Sequence, residues 1–556
     1  MGERMERKSS LKWIIKGAGK ENKKMIVLLV ANALFSVLSI VFALLMKEVI
    51  DSATTSNTKR LFSYGVAIVL IVVLQFGFRV FINCLAEHIQ ARLEINYKTR
   101  LFGAVLNKKQ SKISAYHSGE LMTRLTSDVA VVSEGVATIL PTVVSAVARL
   151  VSAIFALIVL DWIFAVAFCI AGMLVFMVIT LLRGKLKKFH KDTQQTDGKV
   201  RSFMQECIEN LLAVKVFSAN ERVEKHSSDL QERNYKIKMK RRNYSVLGHA
   251  TYNLIFSAGF LFALLYGGVK LLRGAFTYGS LTAILQLVNN VQVPFASLSN
   301  VVPKYYSMIA SAERIMEIEN IESEPKLADL DVAQIYAKMN GLLIDNVEFA
   351  YDRESVLKNA STYIKKGEFV VVTGRSGAGK STLVKLLLGV YETKSGEICL
   401  DLGEDRLKLN EATRQLFSYV PQGNMLFSGT IRDNVTFINS GADEQQINKA
   451  LELSQAKEFV SLLPQGLDTV VGENGVGLSE GQIQRIALAR ALLSKAPILI
   501  LDEATSALDE QTEKAVLNNL KSLDGVTIIM ISHKKATLSV CDRNIQIKDK
   551  RIKEIA

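Results

Sequence analysis

The sequence is short of cysteine. It holds five, Cys84, Cys169, Cys207, Cys399 and Cys541, and no two form a CxxC pair. Neither a thiolate zinc site nor a disulfide framework is suggested, and scattered reduced thiols fit a chain whose polar parts face a cytosol. The N-terminal stretch MGERMERKSSLKWIIKGAGKENKK lacks the marks of a targeting segment. Glu3 and Glu6 are out of place in a transit peptide, and the apolar run that follows is too long for a signal-peptide core. Glu6 also stands where a myristoylation motif needs Ser or Thr. The long polar segments 86–131 and 184–248 have few Gly or Pro, so they read as charged, amphipathic helix rather than loop.

What is abundant is apolar sequence, unevenly spread. Mean hydropathy is +0.21, yet charged residues make up an ordinary 22%, so the apolar content must be concentrated. It lies in the first 300 residues, as six runs at about 25–47, 61–85, 135–160, 162–183, 249–271 and 279–302, each near the ~20 residues a spanning helix needs. The net charge of +14 then reads as Lys and Arg in cytoplasmic loops, not as a nucleic-acid footprint. About fifteen lie in 184–248 and about seven in 86–131, against few near 51–60 and 160–162. The positive-inside rule puts both long loops and both termini in the cytoplasm, with very short outer loops. No nucleic-acid partner is expected.

Within the inner loops, SGELMTRLTSD (118–128) and QECIENLLAVKVFSANE (205–221) each hold a short helix with an apolar face. Each reads either as a self-packed hairpin or as a docking knob for the C-terminal domain. Arg149 lies about 11 residues from the outer end of span three, roughly 16 Å deep at about 1.5 Å per residue, where a charge should face a partner or a water-filled cavity. Arg79 can snorkel to the inner interface. Span six carries Gln286, Asn289, Asn290 and Gln292, interrupted by Pro294. That stripe suits either a pathway lining or hydrogen bonds between helices.

After a charged linker the pattern changes to short β-rich runs alternating with helical ones. The buried strand EFVVVTG (368–374) feeds GRSGAGKST (374–382) and then a helix, the context a phosphate loop requires. Its amide groups and helix N-terminus should cradle phosphate, with Lys380 reaching the β- and γ-phosphates and Ser381 ligating Mg2+. The strand in PILILDEATSALD (497–509) ends in Asp502, placed to hold Mg2+ through water, and Glu503, placed to polarise an attacking water. VTIIMISH delivers His533 to a strand tip, toward a γ-phosphate.

Together these elements resemble the ATP-binding-cassette superfamily, whose LSGGQ signature stands here as LSEGQ (478–482). The whole chain is similar to a half-size ABC exporter. The resemblance implies an α-helical six-span transmembrane domain plus an α/β P-loop nucleotide-binding domain, over 1–310 and 341–556 with a linker at 311–340. It implies that Tyr351 stacks on adenine. Gly374, Arg375, Ser376, Gly377, Ala378, Gly379, Lys380, Ser381 and Thr382 would form Walker A. Gln422 would be the Q-loop residue, a ligand of Mg2+ and part of the catalytic set. Glu473 would be the acid of the X-loop, Asp502 and Glu503 Walker B and the catalytic glutamate, Asp509 the end of the D-loop, and His533 the switch histidine. The segments 118–128 and 205–221 match the coupling helices in position. Ser479, Gly481 and Gln482 would read the ATP of a partner subunit, so the chain would act as a homodimer or with a homologous half-transporter.

Glu480 departs from the family pattern, where Gly is commonest; beside a γ-phosphate a carboxylate would repel, so its side chain is expected to point away, to a Lys or Arg. The resemblance further implies ATP-driven export of a hydrophobic or amphipathic substrate (drug, lipid or small peptide) across a cell or inner membrane, by alternating access. An importer on the same architecture, one half of a heterodimer and a nucleotide-gated channel are the alternatives. With nothing preceding span one, a peptidase-bearing peptide exporter is not expected.

Overall fold

Apolar runs this long can satisfy their backbone groups in a bilayer only as helices, and helices they are. The computed structural model describes residues 2–325, 330–351, 354–423, 426–472, 475 and 477–555. Two compact units result, Met1–Gly103 with Ser118–Asn320, and Ala104–His117 with Ile321–Ala556.

The first unit holds α1 (Gly2–Ala18), α2 (Asn22–Thr54) and α3 (Thr58–Leu106). Between α3 and the next helix of this unit the chain visits the second unit, where α4 (Gln110–Ile113) lies. It returns with α5 (Ser118–Thr123), α6 (Val129–Leu160), α7 (Trp162–Glu209), α8 (Leu211–Val216), α9 (Asn220–Leu272) and α10 (Tyr278–Glu319). Among the described residues five helices are long and apolar enough to cross a membrane: α2, α3, Ser118–Leu160 with α6, α9 and α10. The fourth expected span opens α7, whose described apolar part is Trp162–Leu174. The 49 residues of α3 rise about 73 Å at about 1.5 Å each, more than twice the ~30 Å of a hydrocarbon core, so the spans continue far beyond it.

Three expectations change here. Pro294 does not interrupt span six: Pro294 and Pro303 both lie inside α10, and the Tyr252 hydroxyl donates to the nearby Gln292 carbonyl at 2.8 Å. The linker expected at 311–340 is helix through Glu319, and α11 (Val332–Lys338) follows. The segment 118–128 is not a free knob. It packs on α10, where Arg124 bonds the Arg314 carbonyl at 2.7 Å and Glu317 at 2.9 Å, and Asp128 accepts from Ser311 and Arg314, each at 2.8 Å. The chain reverses earlier, at α4. There Lys109 bonds Glu322 through both backbone and side chain and reaches Glu392, and these carboxylates hold the Lys109 ammonium well above its ordinary range. The second expected segment carries α8 on the surface, with Leu211, Leu212, Val216 and Phe217 exposed.

The second unit is layered α/β. Strands β1 (Gly341–Tyr351) and β2 (Glu354–Lys365), then β3 (Phe369–Gly374), lead to α12 (Lys380–Leu387). There follow β4 (Ser395–Asp401), β5 (Arg406–Lys408), β6 (Phe417–Val420), β7 (Gly429–Thr430), α13 (Ile431–Val435), α14 (Glu444–Leu453), α15 (Lys457–Leu462) and β8 (Val470–Val471). The chain closes with α16 (Glu480–Leu493), β9 (Ile498–Asp502), α17 (Glu510–Lys521), β10 (Thr527–Ile531), α18 (Lys535–Leu538), β11 (Arg543–Lys548) and β12 (Arg551–Ile555). The main sheet runs β12-β11-β3-β10-β9-β6, parallel except for β12, and an antiparallel sheet runs β2-β1-β4-β5.

Every residue of β3, β9 and β10 is buried, because both faces of this sheet are covered. Alternation sorts them: Val370, Val372, Ile500 and Ile529 join the core shared with β1 and α12, while Val371, Leu499, Leu501 and Met530 join the core shared with α16 and α17.

Candidate nucleotide site

The parallel strands deliver the candidate residues to one edge of the sheet. β3 ends at Gly374 and β9 at Asp502; β10 runs on to His533 and β6 to Gln422. Since β3, β10, β9 and β6 are successive neighbours, four such ends lie side by side, where open α/β sheets bind their ligands.

The loop from β3 to α12 is shaped by glycine. Gly379, the residue before α12, has φ +104°, and a Cβ there would stand 2.8 Å from Val356 Cγ1, so neither conformation nor space admits a side chain. The turn aims the first amides of α12 at the loop, an anion-binding arrangement. Lys380 is only 9% exposed. Its ammonium donates to the carbonyls of Gly374 at 2.7 Å and Arg375 at 3.1 Å, which pins the charge across the cradle. Arg375, Ser376 and Gly377 are exposed, Ala378 half-buried.

Two pairs join the remaining strand ends. Ser381 lies close enough to Asp502 for its hydroxyl to favour the ionised carboxylate, and the Gln422 amide donates to Glu503 Oε2 at 2.7 Å. Burial pushes the Asp502 carboxyl above its ordinary value, with Ser381 pulling it back. Burial, with the charge of Asp502 adding to it, raises the nearby Tyr419 phenol to about 12. Among the described residues no three His, Cys, Asp or Glu gather to hold a metal. A hydroxyl beside one buried carboxylate does fit Mg2+, a hard cation that keeps water and substrate phosphate as its other ligands.

Glu503 has φ +52°, in the left-handed region uncommon outside glycine. Its N–H bonds the Ile531 carbonyl at 3.1 Å, which ties the end of β9 to β10. The sequence offers no signal for this conformation beyond Glu following a buried strand.

Tyr351, at the end of β1, lies edge-on to Phe349 and Tyr391, with ring centroids 5.0 and 5.4 Å away. Its hydroxyl is 3.3 Å from that of Thr382. The ring is 40% exposed, leaving a face for a planar base. His533 is exposed at its strand tip. Asp509 caps α17 by accepting from Thr512 N at 2.9 Å, and these amide bonds hold its carboxyl below the ordinary range.

The signature residues stand apart from this cluster. Ser479 and Gln482 form a reciprocal capping box at the head of α16, with Ser479 N donating to Gln482 Oε1 at 2.9 Å and Gln482 N to Ser479 Oγ at 3.4 Å. Among the described residues no hydrogen bond joins them to 374–382. Gly481 allows a close approach: a Cβ there would lie 2.9 Å from the Ala507 carbonyl. Glu480 is exposed, and the expected Lys or Arg partner is not found among the described residues, because the first turn of α16 leaves it in solvent. Glu473 lies outside the described residues.

In the membrane unit, Arg149 of α6 has a buried Nε without a hydrogen-bond partner among the described residues.

Comparison with known proteins agrees with this division. Residues 25–295 match the family model described as ABC transporter transmembrane region, and 357–506 the model described as ABC transporter. The chain is 31% identical to the ATP-dependent lipid A-core flippase of Syntrophus aciditrophicus over 93% of its own length and 86% of the relative's. It is 30% identical to the protein of that name from Pectobacterium atrosepticum, over 84% and 80%. Its fold is similar to a solved bacterial Atm1-family ABC exporter with ATP bound, with TM-score 0.80 and 23% identity over 96% of this chain and 94% of that one.

Proposed function

Since the chain belongs to the ATP-binding-cassette transporter family, a membrane-spanning exporter fold that couples ATP hydrolysis to transport, we propose that it exports an anionic amphipath of lipid type. The observation that carries the proposal is Arg149, whose buried Nε has no hydrogen-bond partner among the described residues. A guanidinium so placed in a membrane span is costly unless an anion visits. The relatives' printed names, lipid A-core flippases, support a lipid of that class.

In this reading ATP is held by Walker A, residues 374–382, with Tyr351 on the adenine. Mg2+, when bound, neutralises phosphate charge and is held by Ser381, Asp502 and Gln422. Glu503 orients and deprotonates the attacking water, and Gln422 fixes the Glu503 carboxylate. His533 meets the γ-phosphate. Ser479, Gly481 and Gln482 complete the site of a second copy, so the working form is a homodimer in the cell membrane with both termini cytoplasmic. The membrane domain extends to Asn320. The nucleotide domain takes in 104–117, so its movement pulls on α3 and α5 through the chain itself.

The test is ATP turnover of the purified chain in bilayers with and without an anionic amphipathic lipid. Stimulation by the anionic lipid and not by a neutral one of equal chain length, lost in Arg149→Met, supports the proposal. Equal stimulation by both lipids overturns it.

A further inference from the structure

The loop Ser506–Asp509, between β9 and α17, is gripped from two sides. On one side stands α16, which begins at the signature. Gln484 Nε2 donates to Ser506 Oγ at 2.8 Å, and Ala507 N donates to Gln484 Oε1 at 3.0 Å. Gln484 is buried, so both ends of its amide are spent on this loop. On the other side stands Lys534, directly after His533. An ammonium has three protons and no acceptor, and all three are placed: on the Thr505 carbonyl at 2.8 Å, the Leu508 carbonyl at 3.2 Å and Glu513 Oε2 at 3.1 Å.

Glu513 anchors that contact. It is 3% exposed, and its other oxygen accepts from the Thr505 hydroxyl at 2.9 Å and the Thr537 hydroxyl at 3.5 Å. The backbone of Lys534 is fixed as well, its N–H donating to Ser532 Oγ at 3.2 Å. One ammonium thus joins a carbonyl just before the loop and one within it to the strand tip that carries His533. One amide joins the same loop to the signature helix.

We propose that Lys534 and Gln484 are positioning residues for hydrolysis. They make the signature helix, the loop 506–509 and the His533 tip one frame, so that the part reading one nucleotide and the part reading the other shift together. The inference rests on the roles given above to His533 and to the signature. A frame of this kind sets where His533 and Asp509 stand when ATP is bound, and has little hold on ATP affinity itself, since neither Lys534 nor Gln484 touches the cradle of 374–382. Displacing a catalytic group by about 1 Å is enough to slow a reaction about a hundredfold.

The experiment is steady-state ATP turnover of the full chain in bilayers, with thermal melting measured on each variant. Lys534→Met is expected to lower kcat at least about tenfold while KM for ATP stays within about twofold. It also strands the buried Glu513 carboxylate, so a loss of folding could mimic the result. The double variant Lys534→Met, Glu513→Leu removes both charges and is expected to recover the melting temperature but not kcat. Recovery of kcat together with stability overturns the proposal, since Lys534 would then act on folding alone. Gln484→Leu leaves the ion pair intact and is expected to show the same low kcat at unchanged KM; full turnover there overturns the two-sided grip. Glu503→Gln is the control: if it turns over ATP as fast as the unaltered chain, the hydrolytic reading of the site has failed, not the frame.

Discussion

The Gln422 amide donates a 2.7 Å hydrogen bond to the Glu503 carboxylate, joining the segment after β6 to a residue at the end of β9. Glu503 is held at φ +52°, a conformation that persists in a functional site when its surroundings enforce it. General-base groups contribute about 10²–10⁴ in rate. Glu503→Gln is therefore expected to lower kcat by about a hundredfold or more with ATP binding intact. Gln422→Ala, which frees the carboxylate without removing it, is expected to lose less. Single-turnover kinetics beside nucleotide-binding titrations would check both.

Lys380 carries a different consequence. Its ammonium bonds the Gly374 and Arg375 carbonyls across the cradle, where a charge-assisted bond to phosphate contributes about 1.5–3 kcal/mol. Lys380→Met should weaken ATP affinity about 10- to 100-fold, read by titration with a fluorescent nucleotide. A loss of kcat with full affinity would contradict this placement.

Much of this site was legible because each motif sits in one short stretch with its own local context. EFVVVTG followed by GRSGAGKST is a strand, a turn needing glycine, and a helix start, and it folds as such. Five of the six apolar runs were legible for a like reason, since length and apolar composition within one stretch decide whether a helix can span. Features set by distant packing were not. The four-residue α4 is too short for any periodic signal, so nothing in the sequence drew attention to 110–113, and the docking segment was read at 118–128. Pro294 reads as a breaker by local rules, yet it is buried inside α10, and the helix runs on past it to Glu319. The left-handed Glu503, tied to the Ile531 carbonyl, depends on residues far apart in sequence.

Asp502 gives a pH dependence. Its folded carboxyl titrates above the ordinary aspartate value because it is buried. A raised acid favours the protonated form, so its contribution to the stability of the nucleotide-free protein is present at low pH and lost as pH rises through the folded value. Mg2+ needs the ionised form. The stabilisation by Mg2+ and ATP, read as a rise in melting temperature, should accordingly grow as pH increases from the ordinary carboxylate range, and flatten in Asp502→Asn.

Gly481 tests the packing of the signature helix. A Cβ there would come within 2.9 Å of the Ala507 carbonyl, and overpacking of this kind costs about 1–3 kcal/mol. Gly481→Ala should lower the melting temperature and turnover together. Retained stability with full turnover would mean that the approach is looser than the geometry states.

The central claim is that ATP hydrolysis at this site moves an anionic amphipathic lipid across the bilayer. Its most direct test is a leaflet assay on vesicles containing the purified chain. A fluorescent anionic lipid is followed by quenching from outside on addition of Mg2+ and ATP, beside Glu503→Gln and Arg149→Met. The account predicts ATP-driven transfer away from the leaflet on the nucleotide-binding side, abolished in Glu503→Gln and weakened for anionic but not neutral lipid in Arg149→Met. Transfer that proceeds equally in Glu503→Gln, or that ignores lipid charge in the unaltered chain, would contradict it.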